Sequence, residues 1–157
     1  MRKIYTGARH KYVTHCDAFM YNEAGRFPPP FHCYKPSSEK VFGTICMSPN
    51  SRVMLVKGRK SGKWSFPKGH KNRSETYIDC AKRETLEETG IDLADCTPVQ
   101  CERMSVGEYY FFTLPSEVLP APTDTREIIE AGWFSVDEMN RMPCNVDVNF
   151  FLRRMRC

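Results

Sequence analysis

Between Gly69 and Ile91 the chain reads GHKNRSETYIDCAKRETLEETGI, and the second half of this stretch crowds acidic side chains onto one helical stripe. A helix turns about 100° per residue, so Glu84, Glu87 and Glu88, spaced i, i+3 and i+4, share a narrow face. Like charges at that spacing each cost about 0.2–0.5 kcal/mol, so the cluster needs cations, either side-chain partners or a bound metal. Carboxylate oxygens with no His or Cys among them favour Mg²⁺ or Mn²⁺ over zinc. The alternative is a solvated face partly neutralised by Lys82 and Arg83. The helix is expected to start near Ser74 to Thr76, where Ser and Thr can cap and Glu75 and Asp79 suit the positive end of the dipole. Gly90 is its expected stop.

The surroundings of this helix predict strands. KVFGTICMS and RVMLVKG are apolar, β-rich runs separated by Pro49-Asn50-Ser51, which reads as a hairpin or two adjacent strands. A short extended segment, Trp64 to Gly69, is broken by Pro67 and leads into the helix. Downstream, PVQCERMSV, EYYFFTL and REIIEAGWFSV read as strands, followed by short helices near 136–142 and 146–154. In EYYFFTL, alternation predicts that half of Tyr109 to Phe112 face the core and half are exposed or line a cleft. Strands and helices without regular βαβ alternation indicate an α/β chain with a mixed sheet between helices. At 157 residues, 41% hydrophobic and 27% charged, the chain suits one domain.

Residues 1–38 contain Pro28-Pro29-Pro30 and read as an extended arm, with the folded domain spanning 39–157. The start Met1-Arg2-Lys3-Ile4 lacks an apolar stretch of signal length, and no run approaches the roughly 20 apolar residues of a membrane span, so an intracellular, cytoplasmic protein with no membrane partner is expected. Eight cysteines then read as reduced thiols, with no disulfide assigned. His15-Cys16 and His32-Cys33, with His10 nearby, raise a zinc site, yet adjacent residues of an extended chain point opposite ways, and isolated surface or packing roles are the favoured reading. From Lys57 to Arg73 the chain carries seven basic residues and no acidic one, immediately before the acidic helix. A basic rim beside a carboxylate cluster suits a polyanionic substrate, with Lys68, Lys63 and Arg59 the candidate phosphate contacts. Trp64 and Phe66 are candidates to stack on a base, with core packing the favoured alternative. Arg153, Arg154 and Arg156 either guide an RNA backbone or form a frayed basic end.

The stretch resembles the signature of the Nudix hydrolases: a glycine, a glutamate six residues on, then Arg-Glu, a Glu-Glu pair, and a glycine followed by an aliphatic residue. Gly69, Glu75, Arg83, Glu84, Glu87, Glu88, Gly90 and Ile91 fill those places. One place departs: Thr85 stands where the family usually has an aliphatic residue. It shares a helix face with Ile78 and Ala81, turned mostly away from the glutamates, so an effect on packing rather than on chemistry is expected. The resemblance implies a Nudix-type α/β/α sandwich. It also implies metal ligation by Glu84, Glu87 and Glu88, with the Gly69 carbonyl a further ligand, and a bracing pair between Glu75 and Arg83.

The run VFGTICMSPNSRVMLVKGRKSGKWSFPKGH, the DCAKRE within the helix and TREIIEAGWFSVDEM are similar, more narrowly, to the catalytic domain of mRNA-decapping enzymes over roughly residues 39–142. That similarity implies water attack on the 5′-5′ triphosphate bridge of capped RNA, releasing 7-methylguanosine diphosphate and 5′-monophosphate RNA. Glu127 then takes the place of a glutamate that reaches the metal site from a later loop and is the expected general base, with Glu88, Glu87 and Glu130 as competitors. Relative to that family, the preceding helical regulatory domain and most of the following basic region have no counterpart here, which bears on coupling to activators and on affinity for long RNA. Hydrolysis of dinucleoside polyphosphates, whose enzymes share a Pro-Lys-Gly-His run like Pro67 to His70, and of diphosphoinositol polyphosphates are the alternative activities. A Nudix-fold binding module without catalysis is the alternative of another class.

Overall fold

The computed structural model describes residues 41–156. The proline-containing arm and the candidate zinc residues His10, His15, Cys16, His32 and Cys33 lie outside the described residues. Within them run strands β1 (Val41–Met47), β2 (Val53–Gly58), β3 (Trp64–Ser65) and β4 (Lys68–His70), then helix α1 (Tyr77–Thr89). Strands β5 (Gln100–Arg103), β6 (Gly107–Thr113) and β7 (Ile128–Phe134) follow, and helices α2 (Val136–Met139) and α3 (Val146–Met155) close the described chain.

The strands form one mixed sheet in the order β3-β2-β1-β6-β5, with β4 paired to β1 and β7 to β2. Strands β1 and β6 pair in parallel, and the crossover between them carries α1. Period-two alternation sorts the apolar residues onto two faces. Ile45, Met47, Val53, Leu55, Tyr109 and Phe111 pack against Met139, Val148, Phe151 and Leu152. On the other face, Cys46, Met54, Phe112, Leu114 and Trp133 meet Ile91 and Leu93 after α1, and Phe42 meets Cys80 and Ala81 of the helix itself. This mixed sheet with helices on both faces is the α/β/α arrangement expected from sequence. It also corrects one expectation: Tyr109, Phe111 and Phe112 are all buried and Tyr110 is half-buried, because both sheet faces are covered. Period two separates faces, but it says nothing about whether the second face meets water.

Three contacts tie the layers together. Phe66 makes edge-to-face contacts with Tyr109 (5.4 Å) and Phe151 (5.6 Å), each worth about 0.5–1.5 kcal/mol beyond the area it buries. Asp147, in the first turn of α3 and fully buried, accepts from Tyr109 Oη at 2.7 Å and from the Val106 amide at 3.1 Å. Thr85 is also fully buried. Its hydroxyl donates to Ala81 O at 2.8 Å, so Thr44 on β1 is the donor in the 2.6 Å contact between the two hydroxyls. A polar side chain at a usually aliphatic place is thus matched by a polar partner across the helix–sheet interface.

The C-terminal arginines are not a frayed end. Arg154 pairs with the buried Glu102 of β5 at 3.0 Å, Arg156 bonds Asn140 and Arg153 lies over the Phe150 ring. Among the described cysteines, Cys46, Cys80 and Cys144 are buried. No helix among the described residues is long and apolar enough to cross a membrane.

Candidate active site

The site is assembled where α1 meets β4 and the loop before β7. Thr76 caps α1 by accepting from the Asp79 amide, and Gly90 ends it in the left-handed region at φ 77°. A side chain at Gly90 would also strike Ala121 O. Strand β4 lies antiparallel to the start of β1, pairing Gly69 with Phe42, and this sets Gly69 beside the helix. The approach is so close that a Cβ on Gly69 would fall within the Glu84 carboxylate. Glycine here is a matter of space, not of backbone freedom.

Arg83 organises the acidic stripe. Its Nε and Nη2 donate to the two oxygens of Glu75 at 2.8 and 3.0 Å, while Nη1 donates to Glu84 at 2.7 Å and Glu87 at 3.2 Å. Nη2 also reaches His70 O at 3.1 Å, which ties the segment before the helix to its middle. The Arg83 guanidinium holds the Glu75 carboxyl down to about 2. Burial raises Glu84, against the opposing pull of Arg83. Glu88 is 6% exposed and its Oε2 accepts from the Lys68 amide at 3.0 Å. Burial pushes its carboxyl up to about 8, with Lys68 opposing and the charges of Glu84 and Glu127 adding to the rise.

Glu127 comes from the loop before β7, and its charge reaches both Glu84 and Glu88. That loop is stitched to the helix by the Thr123 and Asp124 amides, which donate to Glu87 O at 2.9 and 3.0 Å. Asp124 Oδ1 then accepts from the Arg126 and Glu127 amides and turns the chain toward the helix. A cavity of about 410 Å³ opens here, lined by Lys68, Glu88, Arg126 and Glu127, by Arg59, Lys60 and Ser61 of the loop after β2, and by Ser65 and Asn145. A second cavity of about 550 Å³ lies between Glu87 and residues Thr123 to Glu127. Glu127 and Arg126 border both.

The candidate residues named from sequence separate into groups. Glu84, Glu88, Glu127, Lys68 and Gly69 meet at the site, and Glu75 with Arg83 braces it. Glu87 leans toward Arg83 and the second cavity. Arg59 lines the first cavity, but its Nη2 is spent on Thr125 O at 3.0 Å. Lys63 is exposed and does not line either of these cavities. Trp64 is 6% exposed, set edge-on to Phe134 at 4.6 Å, with Lys57 Nζ over its ring and its backbone bonded to Pro143 and Asn145. Its burial between these neighbours fits packing, the reading favoured from sequence over stacking on a base. Glu130 lies on β7 opposite Lys57. Sequence reasoning passed over Asp124 and Arg126. The spacing of Asp124 three residues before Glu127, typical of a side chain that caps its own turn, was the available signal.

These residues suit a hard divalent cation by their chemistry: Glu84, Glu88 and Glu127 offer only oxygen, and Glu88 is a buried carboxylate whose charged form lacks a full counter-charge. The Gly69 carbonyl, on a strand paired to β1, also lies 3.6 Å from Cys80 Sγ of the helix. Among the described residues no three His, Cys, Asp or Glu side chains are arranged as a ready-made cage, and Arg83 holds Glu84 and Glu87 in ion pairs.

The profile of the NUDIX domain matches residues 38–151. The mRNA-decapping enzyme subunit 2 of Arabidopsis thaliana is 31% identical over 135 residues, covering 82% of this chain and 34% of that protein. The m7GpppN-mRNA hydrolase of Saccharomyces cerevisiae is 33% identical over 129 residues, covering 78% of this chain and 13% of that protein. The chain therefore spans about a third or less of the length of these relatives. Among solved structures, a MutT protein from Methanosarcina mazei superposes with a TM-score of 0.59 at 20% identity, covering 80% of this chain and 96% of that one. A C. elegans Ap4A hydrolase gives 0.57 at 18% identity, covering 74% and 96%. At these identities the structures speak for the fold alone. Fold, signature residues and profile agree, and the chain belongs to the Nudix family of hydrolases.

Proposed function

We propose that this chain hydrolyses the 5′ cap of RNA, releasing 7-methylguanosine diphosphate and RNA with a 5′-monophosphate. The observation that carries this reading is one cleft lined by both signs of charge: Glu88 and Glu127 together with Arg59, Lys60, Lys68 and Arg126. Such a cleft suits a chain of phosphates, whose charge the basic side chains offset while the carboxylates bind cations and handle protons. The identity to decapping enzymes supports capped RNA as the source of those phosphates.

The Nudix family is typically dependent on a divalent metal. Here Glu84 and Glu88, with the Gly69 carbonyl and Glu87 as further donors, would hold Mg²⁺ or Mn²⁺. When bound, such an ion lowers the pKa of water and offsets phosphate charge. Glu127 takes the proton from the attacking water: it is exposed and borders both cavities. Glu88 is buried and held by the Lys68 amide, which suits a fixed donor better than a group exchanging protons. Glu75 and Arg83 keep the helix and the preceding segment in one arrangement.

The test runs three substrates side by side with Mg²⁺ and with Mn²⁺: cap-labelled RNA, diadenosine tetraphosphate and a diphosphoinositol polyphosphate. Labelled 7-methylguanosine diphosphate is the expected product, with capped RNA the fastest substrate. Untouched capped RNA beside rapid turnover of either small molecule would overturn the substrate and leave the family assignment standing.

A further inference from the structure

We infer that Arg59 is a positioning residue for Glu127, and that the basic loop after β2 acts on the reaction through this clasp as well as through its charge. The inference rests on the reading of Glu127 as the proton acceptor. Strands β2 and β7 pair in regular register from Val53 to Lys57, and the register then shifts so that Gly58 meets Ile128 while Lys57 meets Glu130. The bulge leaves Ile129 as the extra residue on β7, and such an irregularity bends its strand and re-aims the neighbouring residues. Just beyond it, the Arg59 amide donates to Glu127 O at 2.7 Å, and its Nη2 goes on to Thr125 O at 3.0 Å.

One residue therefore grips the catalytic loop at two carbonyls, two positions apart. The loop is held on its far side by α1, through the Thr123 and Asp124 amides on Glu87 O. Glu127 itself carries one of the two carbonyls held by Arg59, through the Arg59 amide, while the guanidinium holds the other at Thr125. The basic loop is itself closed, with Gly58 N donating to Lys63 O at 3.1 Å and Gly62 N to Gly58 O at 2.9 Å, so it offers Arg59 a firm base. A purely phosphate-binding arginine would be expected to project its fork into the cleft, but part of this fork is committed to Thr125.

The test uses Arg59→Ala, Glu127→Gln and the double variant, on whichever of the three substrates the wild-type protein turns over, together with amide hydrogen exchange. Arg59 is exposed, so its removal leaves the fold intact. Arg59→Ala is expected to lower kcat by roughly tenfold to a hundredfold, beyond any rise in KM from the charge lost in the cleft, because misplacing a reacting group by about 1 Å can cost on the order of 100-fold. In the Glu127→Gln background the same change is expected to add little, since its effect passes through that side chain. Exchange at the Arg126 to Ile128 amides is expected to quicken in Arg59→Ala. A raised KM with kcat retained, multiplicative losses in the double variant, or unaltered exchange in the loop would each overturn the positioning role. A Glu127→Gln variant with near-normal turnover would instead remove Glu127 as the base, and the exchange measurement would still decide whether Arg59 holds the loop.

Discussion

Replacing Gly69 by alanine separates folding from catalysis. The added methyl would lie under 3.0 Å from Cδ, Oε1 and Oε2 of Glu84, so the two cannot coexist as they stand. The clash is with the far end of a flexible side chain, and Glu84 can yield by rotating away from β4. Doing so strains or breaks its 2.7 Å bond to Arg83, a partly buried charged contact worth about 1–3 kcal/mol. Arg83 keeps Glu75, so the net loss should lie near the lower end, about 1 kcal/mol, a shift of roughly 3–4 °C in Tm for a domain of this size. Activity should fall far more, by roughly 100-fold, because a displaced Glu84 leaves the site. Thermal unfolding and initial rates on the same preparations check both figures. In a Glu84→Ala background the methyl meets no carboxylate, and Gly69→Ala should then cost almost nothing in stability. A Gly69→Ala variant with full activity, or a stability loss unchanged when Glu84 is absent, would refute the steric argument.

Glu87→Gln and Glu88→Gln should each abolish product release while circular dichroism shows the fold retained. Thr85→Val should cost about 1–3 kcal/mol by leaving the buried Thr44 hydroxyl only its weak 3.5 Å contact with Cys46 Sγ, and the double variant Thr44→Val/Thr85→Val should recover most of it, as urea unfolding would show. Glu75 has its folded pKa lowered from 4.5 to about 2 by Arg83, so its contribution is present above about 4.5 and is lost as pH falls toward about 2. Stability measured across pH 2 to 6 should therefore decline less steeply in Glu75→Gln than in the wild type, and identical slopes would remove Glu75 from that account.

Much of the fold was legible because strand and helix periods are written in the side chains: the runs Val41–Met47, Val53–Gly58, Gly107–Thr113 and Ile128–Phe134 are strands, and Thr76 and Gly90 bound the helix. Burial of a second sheet face was not legible. Period two in Tyr109 to Phe112 assigns opposite faces, and only α1 and the chain through Leu93 decide that both are dry. Trp64 is the same lesson in one residue, since an aromatic beside a basic loop reads alike whether it packs or stacks. The acidic stripe was legible as a cluster, but its division was not. Helical spacing treats Glu84, Glu87 and Glu88 alike, whereas β4 covers Glu88, Gly69 crowds Glu84 and Arg83 draws Glu87 aside. The clasp of Arg59 on the Glu127 loop joins residues 66 apart in the chain, and depends on a bulge that no local pattern announces.

The central claim is that the helix carboxylates and Glu127, brought from separate segments, form one hydrolytic site. Single-turnover cleavage of capped RNA by Glu127→Gln, with divalent-ion affinity measured on the same sample by calorimetry, tests it most directly. The account predicts a loss of about 100- to 10,000-fold in the chemical step with ion binding retained. A variant that cleaves at close to the wild-type rate would contradict it.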